Sequence, residues 1–169
     1  MRRVLRLVAP LLASLIVSSA IAQTQPRFSL RGDYVTGSAI PELLAFTNGR
    51  IPLNKQYHEL TSKQKAVLAS FYTGLGAGDE PPFPSDSLEP IVRLLHRAQK
   101  RLLVTGLLTL IIDVGPDGTP TEVKAIGSPS PEMTKVAAGV LLLTKFKPAV
   151  CAGQPCRMQY PFELEFKVR

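Results

Sequence analysis

"GLLTLIIDVGPDGTPTEVKAIGSPSP", residues 106–131, decides the fold. Leu107 to Val114 is a short apolar run closed by Gly115-Pro116-Asp117-Gly118, and beyond that turn Thr121 to Ile126 alternates polar with apolar. Two such runs joined by a Pro/Asp/Gly turn form a β-hairpin, with Glu122 and Lys124 facing water. Ser130-Pro131-Glu132 then supplies an N-cap, a proline at the first helical position and an acid at the positive helix end. Met133, Val136, Ala137, Val140 and Leu141 follow at helical spacing, and the run stops at Pro148, which predicts the most buried helix of the chain.

Toward the C-terminus, Met158, Tyr160, Phe162, Leu164, Phe166 and Val168 alternate without a break against Arg157, Gln159, Pro161, Glu163, Glu165, Lys167 and Arg169. This is the signature of a strand with one apolar and one water-facing side. Pro161 cannot donate to a ladder, so the strand belongs at a sheet edge. If Pro161 turns its missing donor outward, the odd residues Glu163, Glu165 and Lys167 own the free edge and offer their backbone groups to a partner.

Toward the N-terminus, a helix starting near Asp86 or Ser87 tolerates Pro90 in its first turn and places Leu88, Ile91, Leu95, Ala98 and Leu102 on one face. Arg93, Arg97, Lys100 and Arg101 form a basic face, a candidate for an anionic lipid or an acidic partner set against the plainer reading of a solvated flank. Further upstream, Thr61-x-x-Gln64 is a capping box. Val67, Leu68, Phe71, Tyr72 and Leu75 continue it as an amphipathic helix closed by Gly74 or Gly76. The core is expected to hold Phe71, Leu95, Ile112, Val136, Val140 and Phe166. Residues 23–56 show no sustained period and form an arm, and Arg31-Gly32-Asp33 within it is a loop turn.

The first 22 residues combine Arg2, Arg3 and Arg6 with an apolar stretch and end in Ala20-Ile21-Ala22, the pattern of a cleaved export signal. An uncut membrane anchor is the rival, but Pro10, Ser14, Ser18 and Ser19 leave the run short of the ~20 apolar residues a spanning helix needs. Cleavage leaves 147 of the 169 residues, the size of one domain, with seventeen basic against thirteen acidic side chains. A charge that mild and dispersed gives no argument for nucleic acid. In an exported chain Cys151 and Cys156, separated by Ala-Gly-Gln-Pro, are expected to form a local disulfide that ties the last helix to the last strand. A loop this short contributes roughly 2 kcal/mol. A zinc site would need His58 and His96, which lie in separate elements without paired-ligand spacing, and a C-x4-C redox pair is the weaker alternative. The sequence holds no G-x-S-x-G and no H-E-x-x-H, so it points to no enzyme, no cofactor and no metal.

The order helix, strand, Asp-Gly turn, strand, capped helix, Phe-Lys-Pro-Ala, strand resembles the C-terminal domain of the TonB family over residues 84–169. The resemblance is carried by "FP" at 83–84 with Leu88, by residues 106–131 quoted above, and by "LTKFKPA" at 143–149. It implies an α+β module, a small antiparallel sheet packed with helices, preceded here by an extra N-terminal helix in residues 23–83. It also implies a protein partner, such as an outer-membrane transporter, met in the periplasm, and the edge strand suggests recruitment of its segment by strand addition. The family's energy transducers keep a histidine-bearing anchor and a long Pro/Lys-rich spacer. Residues 7–22 hold no histidine, and residues 24–84 include a helix. The expected function is therefore a stand-alone periplasmic binding module. An uncut, membrane-anchored transducer or an envelope assembly protein are the alternatives.

The export reading makes a direct prediction. The intact mass of the protein from the cell envelope should match residues 23–169 less two protons, with no thiol alkylated before reduction. Met1 retained in a membrane fraction would favour the anchored alternative.

Overall fold

The computed structural model describes residues 51–167 together with the two-residue strand β1, Ser29–Leu30. The Arg31-Gly32-Asp33 triplet and the expected export signal lie outside the described residues. From residue 51 the chain forms a 3-10 turn at Tyr57–Glu59, helix α1 (Ser62–Ala69) and the short strands β2 (Tyr72–Thr73) and β3 (Phe83–Pro84). Helix α2 (Glu89–Leu102), strands β4 (Gly106–Val114) and β5 (Pro120–Gly127), and helix α3 (Pro131–Leu142) follow. The chain closes with β6 (Phe146–Lys147), β7 (Ala149–Cys151), β8 (Gln154–Cys156) and β9 (Met158–Phe166). This is the α+β arrangement expected from the sequence.

The main sheet has the order β5-β4-β9, antiparallel throughout. β4 pairs with β9 from Gly106↔Phe166 to Val114↔Met158 without a slip. Leu108, Leu110, Ile112 and Val114 point to the face that α2 and α3 cover and are fully buried there. Their opposite neighbours Leu164, Phe162, Tyr160 and Met158 join them. The hairpin turn is fixed by Gly115 N–H donating to the Thr119 carbonyl at 2.9 Å, and by the Asp117 carboxylate accepting from the Thr119 amide at 3.0 Å. Gly118 takes φ 76°, and a Cβ there would collide with the Phe146 carbonyl oxygen.

The helices differ from the sequence expectation in extent. In α1 the capping box forms as expected, with Gln64 N–H donating to Thr61 Oγ1 at 3.3 Å and Thr61 N–H to Gln64 Oε1 at 2.9 Å. It ends at Ala69, however, and Tyr72 runs extended against Leu30 of β1. Adjacent Phe71 and Tyr72 are both 4% exposed, beyond the end of the helix that was expected to carry them. α2 begins two residues later than Ser87, because Ser87 sits at φ 101°, outside helical space. α3 ends at Leu142, not before Pro148, because Phe146–Lys147 is needed as the partner strand of Phe83–Pro84. Nor is α3 enclosed all round. Met133, Ala137 and Leu141, four residues apart, face the core, while Val136 is 38% exposed and Val140 only partly buried. The expectation that Val136 lies inside is therefore corrected, whereas Phe71, Leu95, Ile112 and Phe166 are core residues.

Residues 51–84 share this core. Ile51, Tyr57, Leu60, Leu68 and Phe83 belong to the same buried cluster as the sheet. Phe83 packs edge-on against Tyr160 at 6.3 Å between ring centroids, and Tyr160 meets Phe146 at 5.3 Å. Tyr57 lies 6.1 Å from Phe83 and carries two cations over its ring, Lys147 at 4.4 Å and Lys65 at 4.7 Å.

Truncation should sort these positions. Leu95→Ala and Phe166→Ala should each lose about 2–5 kcal/mol in chemical denaturation, through the cavity left behind. Val136→Ala and Arg97→Ala should stay within about 0.5 kcal/mol. Similar losses in both groups would contradict the assigned faces.

Candidate protein-binding edge

β9 is an edge strand of the main sheet: β4 pairs with one side, and among the described residues no strand is hydrogen-bonded to the other, although β1 lies against β9. The ends of that outer edge are engaged. The Tyr72 hydroxyl donates to the Gln159 carbonyl at 2.8 Å, and Gln99 Nε2 donates to the Lys167 carbonyl at 3.0 Å. Both acceptors are odd-numbered residues reached from beyond the main sheet, as expected if odd backbone groups point away from β4. Pro161, opposite Ile111, then leaves the β4 ladder intact.

Between the two engaged ends a groove of about 290 Å³ runs along the edge. One wall is β9 itself from Phe162 to Glu165, with Lys167, and Pro161 lies outside it. The other wall is built by Leu88, which caps α2, by Val92 and His96 of α2, and by Ile51 and Leu53. The Glu89 amide donates to the Leu53 carbonyl at 2.8 Å and so ties residues 51–53 to the start of α2. His96 packs edge-on against Phe166 at 6.1 Å. The segment 51–53, which showed no periodic signal, thus contributes directly to the groove, and only its apolar Ile51 and Leu53 hinted at it.

Glu163 departs most from the sequence expectation. The alternation placed it on a water-facing side, yet it is 3% exposed. Neither carboxylate oxygen has a hydrogen-bond partner among the described residues. On the same face Thr109, its opposite neighbour on β4, and Ile111 are each 6% exposed. Alternation tells which residues share a face, not whether that face is covered. The sequence signal for coverage was in β4, whose nearly continuous apolar run fits a strand buried on both sides. Burial pushes the Glu163 carboxyl from 4.5 up to about 7, and the neighbouring Glu165 adds to the shift. Glu165 and Lys167 are exposed and pair with each other at 2.9 Å, a surface contact of small energetic weight.

The other candidate residues lie elsewhere. Arg93, Arg97, Lys100 and Arg101 are exposed on α2 and line no part of the groove. None of them joins an ion pair among the described residues. Cys151 and Cys156 form the expected disulfide, with 5.8 Å between their Cα atoms. It closes the β7-β8 hairpin and so does not tie helix to strand directly. Ala152 and Gly153 make its tip with φ 49° and 79°. Asp79 fastens that tip, its carboxylate accepting from Ala152 N–H and Gly76 N–H at 2.7 Å each, which holds its carboxyl below the usual range. The disulfide thus staples the β7-β8 hairpin, and Asp79 ties the hairpin's tip to the loop before β3. His58 and His96 belong to separate elements, and no group of three metal-ligating side chains occurs among the described residues.

A three-stranded antiparallel sheet whose last strand is an edge beside an apolar groove, with two helices on one face, agrees with the comparison to known families. Residues 97–168 match the family model for the Gram-negative bacterial TonB protein C-terminal. This segment is similar to the TonB C-terminal domain. No curated protein matches the chain. TonB C-terminal domains are non-enzymatic protein-interaction modules that face the periplasm and interact with outer-membrane transporters. The match to the TonB C-terminal family starts inside α2 and takes in β4 through β9, so the groove's outer wall at Ile51–Leu53 and the start of α2 lies outside it. Among the described residues no helix is long and apolar enough to cross a membrane.

The raised carboxyl gives a pH prediction. Between pH 4.5 and about 7 the folded chain keeps a proton on Glu163 that the unfolded chain has lost, so this residue makes stability fall as pH rises through that window. Glu163→Gln should match the wild type near the lower end and exceed it by at most about 3 kcal/mol above the upper one. Denaturant titrations across the window check this, and a variant less stable than wild type at the alkaline end would contradict it.

Proposed function

We propose that this protein is an exported, periplasmic binding module that captures an extended segment of a partner protein by adding it as a strand to the outer edge of β9. The observation that carries the proposal is the edge itself. Between Gln159 and Lys167, whose carbonyls are engaged, lies a stretch bordered by an apolar groove and not paired by any described strand. Strand addition uses backbone groups for affinity and side-chain pockets at alternate positions for selection. β9 offers the first through Glu163, Glu165 and Lys167, and the groove wall of Leu53, Leu88 and Val92 offers the second. The family supports the partner class, a periplasm-facing segment of an outer-membrane transporter. The basic face of α2 stands apart from the groove and takes no part in this capture.

Proline substitution tests the edge directly. Glu165→Pro removes an outward N–H and should leave the fold intact while weakening capture at least tenfold. Leu164→Pro removes a bond to β4 and should destabilise the domain by several kcal/mol. Amide exchange with synthetic peptides from the periplasm-facing segments of transporters should show added protection at Glu163, Glu165 and Lys167. Protection confined to the even amides, or to Arg93 and Arg97, would overturn the proposal.

A further inference from the structure

Helices α2 and α3 pack side by side on one face of the sheet, so the sides they turn away from it form one outer surface. On α2 that side carries Arg93, Arg97, Lys100 and Arg101, within about 100° of arc at 3.6 residues per turn and opposite the buried Ile91 and Leu95. On α3 it carries Lys135, Val136, Gly139 and Leu142, opposite Met133, Ala137 and Leu141. Seven large apolar side chains are exposed among the described residues, and five of them belong to this layer: Leu94, Leu103, Val136, Leu142 and Leu143. Leu103 and Leu143, 87% and 88% exposed, follow directly on the last residues of the two helices. Leu103 also takes φ 53°, where glycine is favoured, so neither packing nor backbone conformation accounts for a leucine there. The acids of the two helices, Glu89 and Glu132, sit in their first turns, and none of the five cations joins an ion pair among the described residues.

We propose that the outer surface of α2 and α3 docks on an anionic phospholipid bilayer, with the cations at the headgroup phosphates and the exposed leucines at the boundary with the acyl chains. Exposed leucines standing singly need no explanation, but five gathered beside unpaired cations do. A bilayer surface satisfies both kinds of side chain at once, the cations by attraction to anionic headgroups and the leucines by burial just beneath them. A second copy fits poorly, because it would bring the same cations face to face. An acidic protein would pair the cations, yet a protein interface depletes charge from its centre, and here leucines and cations are mixed. Leu94 lies three residues before Arg97 and seven before Arg101, so it stands among them on the helix. The groove beside β9 uses Val92 and His96, on a different side of α2, so bilayer docking and strand capture do not compete and neither rests on the other.

The test is co-flotation of the full chain, its disulfide intact, with vesicles of phosphatidylcholine alone or with one third phosphatidylglycerol. The chain should bind the anionic vesicles at least tenfold more tightly, and the difference should collapse in half-molar salt, which screens surface charge. Arg97→Gln with Arg101→Gln should weaken that binding at least tenfold, and Leu142→Ser with Leu143→Ser at least threefold, with unchanged melting curves because all four side chains are exposed. Equal binding to the two vesicles would overturn the proposal, as would anionic binding that either pair of substitutions leaves unchanged. Binding to a soluble polyglutamate peptide without binding to vesicles would assign the surface to an acidic protein instead. Dimerisation that the leucine substitutions abolish, again without vesicle binding, would assign it to a second copy. The comparison of the two lipids on the wild-type chain requires no variant to fold.

Discussion

β4 is paired along both sides and buried on both faces, and the positions of the other elements follow from it. Its even residues Leu108, Leu110, Ile112 and Val114 make the floor on which α2 and α3 lie, while Thr109 and Ile111 are buried on the other face. A strand in that position must be apolar nearly throughout, as the run from Leu107 to Val114 is. The partners divide the consequences. β5 takes the side with two register shifts and carries the exposed residues Glu122 and Lys124, whereas β9 takes the regular side and keeps its alternation for nine residues. An uninterrupted register presents evenly spaced backbone groups on its outer side, which is what a captured strand requires.

The region upstream of the family match is part of this construction. Tyr160 sits where β9 meets Phe83 and Phe146, and those two rings belong to the short paired strands β3 and β6. Through that cluster the segment from Ile51 to Pro84 is joined to the sheet, and Glu80, hydrogen-bonded to Val150 and ion-paired with Lys147 at 2.9 Å, fastens it again. The disulfide hairpin and Asp79 secure the same junction from the other side. The groove wall at Ile51 and Leu53 is therefore held by the core and by Glu89, and its geometry does not depend on an isolated loop.

Local patterns carried much of this fold in the sequence. The Gly115–Gly118 turn and the Ser130-Pro131 cap each report on a few neighbouring residues and form as read, and residues 158–166 form the strand that their alternation predicts, though not its water-facing side. What failed depended on distant partners. Tyr72 left the helical pattern because Leu30 pairs with it, and Phe146 left α3 because Pro84 does. Val136 matched the helical period, yet a helix lying on a sheet buries a single ridge, here Met133, Ala137 and Leu141. In the candidate site the edge was legible through Pro161, while the groove was not, since it needs Leu53 and Val92 brought beside β9. Glu163 was misplaced because a two-residue period cannot tell a covered face from an open one.

An exposed strand edge invites pairing with another copy of itself, and soluble proteins counter this with prolines and charges. β9 carries Pro161 at one end of its free stretch and Glu163 and Glu165 within it. Two copies paired antiparallel about that stretch would set acids opposite acids, which is destabilising, and each buried Glu163 would still lack a donor. Pro161 and the two acids thus disfavour a second copy of the same edge more than they would a strand of different sequence.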